Sequence, residues 1–129
     1  MPGDARFYRW DEMPKERLTD YLDRRFLHGE RTMLAHIYLK KDCFVPQHQH
    51  ENEQISYILE GALLFKLGQN GEKEQLLKAG DVLVIPSNLP HSALALEDSL
   101  SLDVFSPPRQ DWIDGTDAYL RQQKGPSEG

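Results

Sequence analysis

The sequence predicts an all-β domain, a sandwich or small barrel, on three observations. Short β-rich apolar runs recur at regular spacing from about Leu22 to Phe105, turn signals separate them, and helical periodicity is almost absent between them. The 129 residues are the size of one domain with one substantial core.

The first twenty residues read as an N-terminal arm, in which Met13 to Leu22, with Pro14 near its start, suggests a turn or two of helix. The barrel region, 21–112, begins with strand-like runs at Arg24–His28, which stops at Gly29, and at Thr32–Leu39. Gln54–Leu59 and Ala62–Leu67 follow, separated by Glu60-Gly61. Asn70-Gly71 then signals a hairpin into Glu74–Leu77, because a type I′ turn needs positive φ at both central positions. Val82–Ile85, Ser92–Leu96 and Leu100–Phe105 complete the series. Pro107 and Pro108 end it, since proline cannot donate to a ladder. Residues 113–129 read as a short surface helix capped near Thr116, then a frayed tail, KGPSEG.

Bulk composition narrows the function. Net charge is −6 without a basic block, so nucleic acid is a poor partner. No apolar run approaches the ~20 residues of a membrane span, and the first residues lack a signal-peptide core. One cysteine, Cys43, permits no internal disulfide and suits a cytoplasmic location; it reads as a small packing residue. An anionic small molecule fits only if a local positive centre overcomes the global charge.

One stretch departs from ordinary core chemistry: PQHQHENEQISYILEG, residues 46–61. On a strand, His48 and His50 share a face, and Gln54 keeps that parity if the strand is unbulged. Two imidazoles so placed suit a divalent ion. A third, His91, closes the segment GDVLVIPSNLPH, where Pro86 and Pro90 stiffen the approach and Asn88 tolerates a left-handed turn. His28 and His36 lie outside both motifs and read as ordinary. Glu51 and Glu53 read as solvated.

These frames, H-x-H-x(3)-Q-x(6)-G and G-x(5)-P-x-N-x(2)-H, resemble the paired motifs of the cupin superfamily, whose double-stranded β-helix (a jelly-roll-like barrel) holds a metal in its mouth. With LDVFSPPRQDW, residues 102–112, they look like the small pectin-degradation cupins of the KdgF type. Asn52 stands where many such sequences carry another histidine, and Gln54 where many cupins place glutamate. A neutral amide leaves a bound dication its full charge, which favours anionic ligands.

The resemblance implies one divalent metal ion (nickel, zinc, manganese or iron) on His48, His50, Gln54 and His91, with Asp103 and Phe105 serving turnover. The implied reaction is linearisation of 4,5-unsaturated monouronates to 5-keto-4-deoxyuronate, by ring opening and tautomerisation, in a homodimer. Ser101, Asp103 and Phe105 share one face of their strand; taken alone, that strand favours Asp103 in solvent, and the resemblance turns it inward. Arg24, Arg25 and Arg109 are candidate clamps for a substrate carboxylate, with Arg25 and Arg109 preferred; Tyr57 and Gln47 are weaker candidates. Two rival functions stand beside this one: a metal-dependent oxygenase, which the missing carboxylate ligand disfavours, and a non-catalytic sugar- or effector-binding cupin.

Overall fold

The computed structural model describes residues 3–121. Its strands form two antiparallel sheets. The larger contains, in spatial order, β1 (Glu16–Thr19), β2 (Leu22–His28), β3 (Met33–Leu39), β10 (Ser99–Ser106), β5 (Glu53–Glu60) and β8 (Val82–Ile85). The smaller contains β4 (Phe44–His48), β9 (His91–Ala95), β6 (Ala62–Leu67) and β7 (Lys73–Lys78). From β3 onward nearly every connection passes from one sheet to the other, so the two wrap a single interior, as in a jelly-roll barrel.

Alternation builds that interior. Leu63, Phe65 and Leu67 of β6 point inward with Leu22, Met33, Ala35, Leu39, Ile58, Ile85 and Ala95. Each large apolar side chain so buried contributes ~1.5–3 kcal/mol. Cys43 is buried among them, and burial pushes its thiol up to about 12, which leaves it no nucleophilic thiolate. Gly61 ends the first motif at φ +90°, where an added Cβ would lie 2.2 Å from Ser99 Oγ and 2.4 Å from the Asp98 carbonyl oxygen. Only glycine fits that corner.

Three local expectations are corrected. Met13–Leu22 forms no helix: a 3-10 turn covers Trp10–Glu12, and Glu16–Thr19 is edge strand β1, paired with Arg24, Asp23 and Leu22 of β2. The β6–β7 hairpin exists, but its connection is the five-residue Gly68–Glu72 rather than a two-residue type I′ turn. Gly71 donates to the Gly68 carbonyl, and of the central pair only Gly71 has positive φ. The segment after Trp112 is no surface helix. Helix α1 (Gln110–Asp114) stops at the left-handed Gly115, and a 3-10 turn, Ala118–Arg121, runs back onto the barrel with Leu120 buried. The tail KGPSEG lies outside the described residues. β10 turns its polar face inward, against the preference of the strand taken alone and in the sense the resemblance implies: Ser101, Asp103 and Phe105 are buried, while Leu100, Leu102 and Val104 are half-buried on the outside.

Candidate metal centre

His48 is the last residue of β4 and His91 the first of β9, and the two are register partners across that ladder. His50 follows in the loop beyond β4 rather than on the strand, so strand parity alone does not bring it in. Its carbonyl accepts from the Asn88 N–H at 2.8 Å, and Asn88 takes φ 63° to present that donor. The second motif thereby fixes the loop of the first. The possible ligand nitrogens of His48, His50 and His91 lie within 4.8 Å of one another.

Tautomers follow from the hydrogen bonds. Nδ1 of His48 donates to the Pro46 carbonyl (2.9 Å), that of His50 to Asn52 (2.9 Å) and that of His91 to Leu89 (2.8 Å). A carbonyl only accepts, so each neutral ring carries its proton on Nδ1 and offers a bare Nε2 lone pair to the common centre. Burial, with repulsion from His91 next, lowers His48 to about 3. Burial, with the Arg109 charge next, lowers His50 to about 4. His91 is lowered by burial as well. The rings are therefore neutral, as ligands must be, and near neutral pH few protons compete with a metal.

Gln54, on β5, offers a fourth donor beside the three imidazoles. Its amide NH₂ donates to Ser56 Oγ at 2.9 Å, which aims Oε1 at His50 Nε2, 3.2 Å away. Two lone pairs facing at that spacing suit neighbouring ligands on one ion, since ligands at ~2.1 Å and right angles lie ~3 Å apart. His91 Nε2 is buried without a hydrogen-bond partner among the described residues. An orphaned buried acceptor is costly, and a cation at the centre would satisfy it. The donors thus fit one divalent cation.

Asp103 faces the same interior. Ser101 Oγ donates to it at 2.7 Å, and Ser56, its register partner on β5, holds it too. Ser56 therefore links the amide of Gln54 to the carboxylate of Asp103. Burial raises the Asp103 pKa above 3.8 against those hydrogen bonds and the Arg109 charge. Phe105 packs edge-on against His50 and Trp112, with ring centroids 5.9 and 5.0 Å away. The Arg109 guanidinium lies 5.2 Å from the Phe105 ring centroid; its Nε and Nη2 bond Asp111, and Nη2 also donates to Tyr119 Oη at 2.6 Å.

Two cavities meet here. An interior one of about 70 Å³ is lined by His48, Gln54, His91, Asp103, Phe105 and Arg109 among others. A mouth cavity of about 470 Å³ lies against His48, His50, Asn52, Arg109, Asp111 and Tyr119. Only the second lies in the ~300–1,000 Å³ range of small-molecule sites.

The other arginines stand elsewhere. Arg25 is corrected: it bonds the Met13 carbonyl and Tyr38 Oη and lines neither cavity, because it alternates with the inward Arg24 on β2. Arg24 is buried and committed to Glu16 and Asp117. Gln47 donates to the Gln69 carbonyl, and Tyr57 is exposed. Glu51 and Glu53 are exposed, as expected. His36 stacks under Trp10, ring centroids 3.7 Å apart, away from the cluster. Sequence reasoning missed Asn52 as a strut: its amide donates to the carbonyls of Pro107 (2.6 Å) and Pro108 (3.2 Å), next to Arg109. It also missed Tyr119, whose ring lies 4.5 Å from that of His48.

Residues 36–105 match the model of the Cupin domain family. The chain is 32% identical over 111 residues to the pectin degradation protein KdgF of Dickeya dadantii, an alignment covering 84% of this chain and 98% of that one. The solved structure of KdgF from a Halomonas species superposes with a TM-score of 0.76 at 32% identity, covering 83% of this chain and 99% of that one. An acireductone dioxygenase of Phaeosphaeria nodorum is 34% identical over 84 residues, 63% of this chain, which spans about half the length of that relative.

Proposed function

The chain belongs to the cupin family, and from that premise we propose that it is a metal-dependent enzyme that linearises 4,5-unsaturated monouronates, from pectin or alginate breakdown, to 5-keto-4-deoxyuronate. The observation that carries this reading is the placing of a buried carboxylate, Asp103, and a buried guanidinium, Arg109, around one cavity with the imidazoles of His48 and His91 and the amide of Gln54, while the third imidazole of the cluster, His50, lines the adjoining mouth. Similarity to a pectin degradation protein along nearly its whole length supports the substrate class.

The reaction is an isomerisation. The C1 hydroxyl loses its proton, the bond between C1 and the ring oxygen breaks to give an aldehyde, and the released enol is protonated at C4 to give the 5-ketone. Asp103 takes the first proton and returns one to C4; such acid–base assistance contributes ~10²–10⁴-fold. Its raised pKa suits the first step, because a carboxylate that holds a proton more readily is the better base. Arg109 pairs with the uronate carboxylate. Phe105 forms the apolar wall against the ring and keeps His50 in place. His48, His50, Gln54 and His91 would hold one divalent ion, whether nickel, zinc, manganese or iron, which supplies Lewis-acid stabilisation of the oxygen that gains charge. A positive centre of this kind also reconciles an anionic substrate with a chain of net charge −6.

The proposal extends to a cytoplasmic homodimer. Val82, Val84 and Tyr57, exposed together on the β8 edge of the larger sheet, support self-association, and the single buried cysteine suits a reducing compartment. No helix among the described residues is long and apolar enough to cross a membrane.

The test is the loss of conjugated-alkene absorbance of unsaturated galacturonate with metal-loaded protein, against buffer alone. Enhancement over the spontaneous rate supports the reading, and a rate equal to buffer overturns it. A second reading, a metal-dependent oxygenase, draws on the likeness to acireductone dioxygenase, while the uncharged Gln54 counts against it; oxygen uptake with the same protein separates the two.

A further inference from the structure

Among the described residues, three line both the interior cavity and the mouth cavity: His48, Arg109 and Tyr119. The first two belong to the donor set and the carboxylate clamp. Tyr119 has no role yet, although it stands where the two spaces join. Its ring tilts over that of His48 at 4.5 Å, and its hydroxyl accepts from Arg109 Nη2 at 2.6 Å.

This placement is built rather than incidental. Asp117, fully buried two residues earlier, pairs with the buried Arg24 and with Arg121, and Arg121 reaches Glu16 of β1. Leu120 enters the interior on the far side. The segment from Gly115 to Arg121 is thus pinned on both sides of Tyr119, across the barrel mouth. Arg109 depends on that pinning. Its other partner, Asp111, is partly exposed on the rim and binds it through Nε and Nη2. The Phe105 and Trp112 rings pack against the guanidinium at 5.2 and 5.1 Å, and among the described residues Tyr119 is its one hydrogen-bond partner besides Asp111.

We propose that Tyr119 is a positioning residue of this site: the strap at Gly115–Arg121 delivers a phenol that holds Arg109 at the junction of the two cavities, with its remaining guanidinium donors set for a ligand carboxylate. The phenol accepts from Arg109 and keeps its own O–H for a second acceptor, so it can also touch an oxygen of the same ligand. The inference rests on the reading of the site as a uronate site and deepens it, by assigning carboxylate recognition to an Arg109–Tyr119 pair.

The test compares the parent with Tyr119→Phe, which keeps the ring over His48 and removes only the hydroxyl. Both are loaded with the same metal and titrated calorimetrically with sodium galacturonate, a saturated uronate that cannot react. The expected result is binding about tenfold or more weaker in the variant, on the scale of a hydrogen bond to a charged group, with metal content unchanged. In turnover of unsaturated galacturonate the same factor should fall on KM, with kcat near the parent value. Equal affinity in parent and variant overturns the proposal, as does loss of metal from the variant, which would assign Tyr119 to metal retention. A parent that binds no galacturonate overturns it too. Tyr119-dependent binding without any turnover sustains the proposal and overturns the ring-opening reading instead.

Discussion

His48 and His91 are register partners on neighbouring strands, and their ring centroids lie 4.2 Å apart. Two imidazoles at that distance, both lowered by burial and both with Nδ1 committed to a carbonyl, bring two bare nitrogens together in an apolar interior. Without a cation the arrangement leaves His91 Nε2 buried and unsatisfied. The fold tolerates that cost at a strand end, where ordinary core chemistry would place valine.

His91→Ala should therefore cost metal more than it costs folding. Loss of an outer-shell partner typically weakens metal binding ~10–100-fold, and removal of a ligand should exceed that. The thermal stabilisation of the parent on adding nickel or zinc should vanish in the variant. Metal content by mass spectrometry, beside melting scans with and without metal, checks both statements.

Asp103→Asn should lower turnover by ~10²–10⁴-fold while stabilising the metal-free protein at neutral pH. The sign follows from its raised pKa. Below 3.8 the group is protonated in both folded and unfolded chains and costs nothing. As pH rises from there through the folded pKa, the unfolded chain ionises first and stability is lost, and the full loss persists above it. Chemical denaturation of parent and variant across pH 4 to 8 should show a gap that widens upward; a gap that widens downward contradicts the assignment.

Asn52→Ala tests the strut between the first motif and the prolines before Arg109. Two carbonyls lose their donor, at a cost of ~1–3 kcal/mol in stability. With the loop loosened, KM for the uronate should rise more than kcat falls.

Asp117→Ala leaves the buried Arg24 without its buried carboxylate, and breaking such a pair costs ~3–5 kcal/mol. Replacing both partners at once, Arg24→Met with Asp117→Leu, should recover most of that loss. Denaturant midpoints of the single and double variants decide it.

Arg25→Ala should leave KM for the uronate unchanged, whereas Arg109→Ala should raise it ~10–100-fold, the worth of a charge-assisted contact. A rise at Arg25 would contradict its place on the outer face.

These residues also show what sequence makes legible. His48, His50, Gln54 and His91 stood out because their frames carry turn residues at fixed offsets, and Gly61 and Asn88 occupy the left-handed positions those frames demand. Val82–Ile85 matched its strand because a short apolar run between turns has little else to do. Glu16–Thr19 was opaque: ERLT is polar, and an edge strand takes its conformation from β2 rather than from its own residues. Arg25 was misjudged because adjacent strand residues face opposite ways, and composition does not say which face looks inward. Asp103 posed the same problem, and only the family resemblance oriented it. Asn52 and Tyr119 act through contacts with Pro107, Arg109 and His48, which no local pattern announces.

The most direct measurement is the decay of alkene absorbance in unsaturated galacturonate under four conditions: buffer, metal-loaded protein, chelator-treated protein, and treated protein resupplied with metal. The account expects fast decay with the loaded protein, a fall toward the buffer rate on chelation, and recovery on resupply. Decay that is indifferent to chelation, in a sample shown to be metal-free, would contradict it.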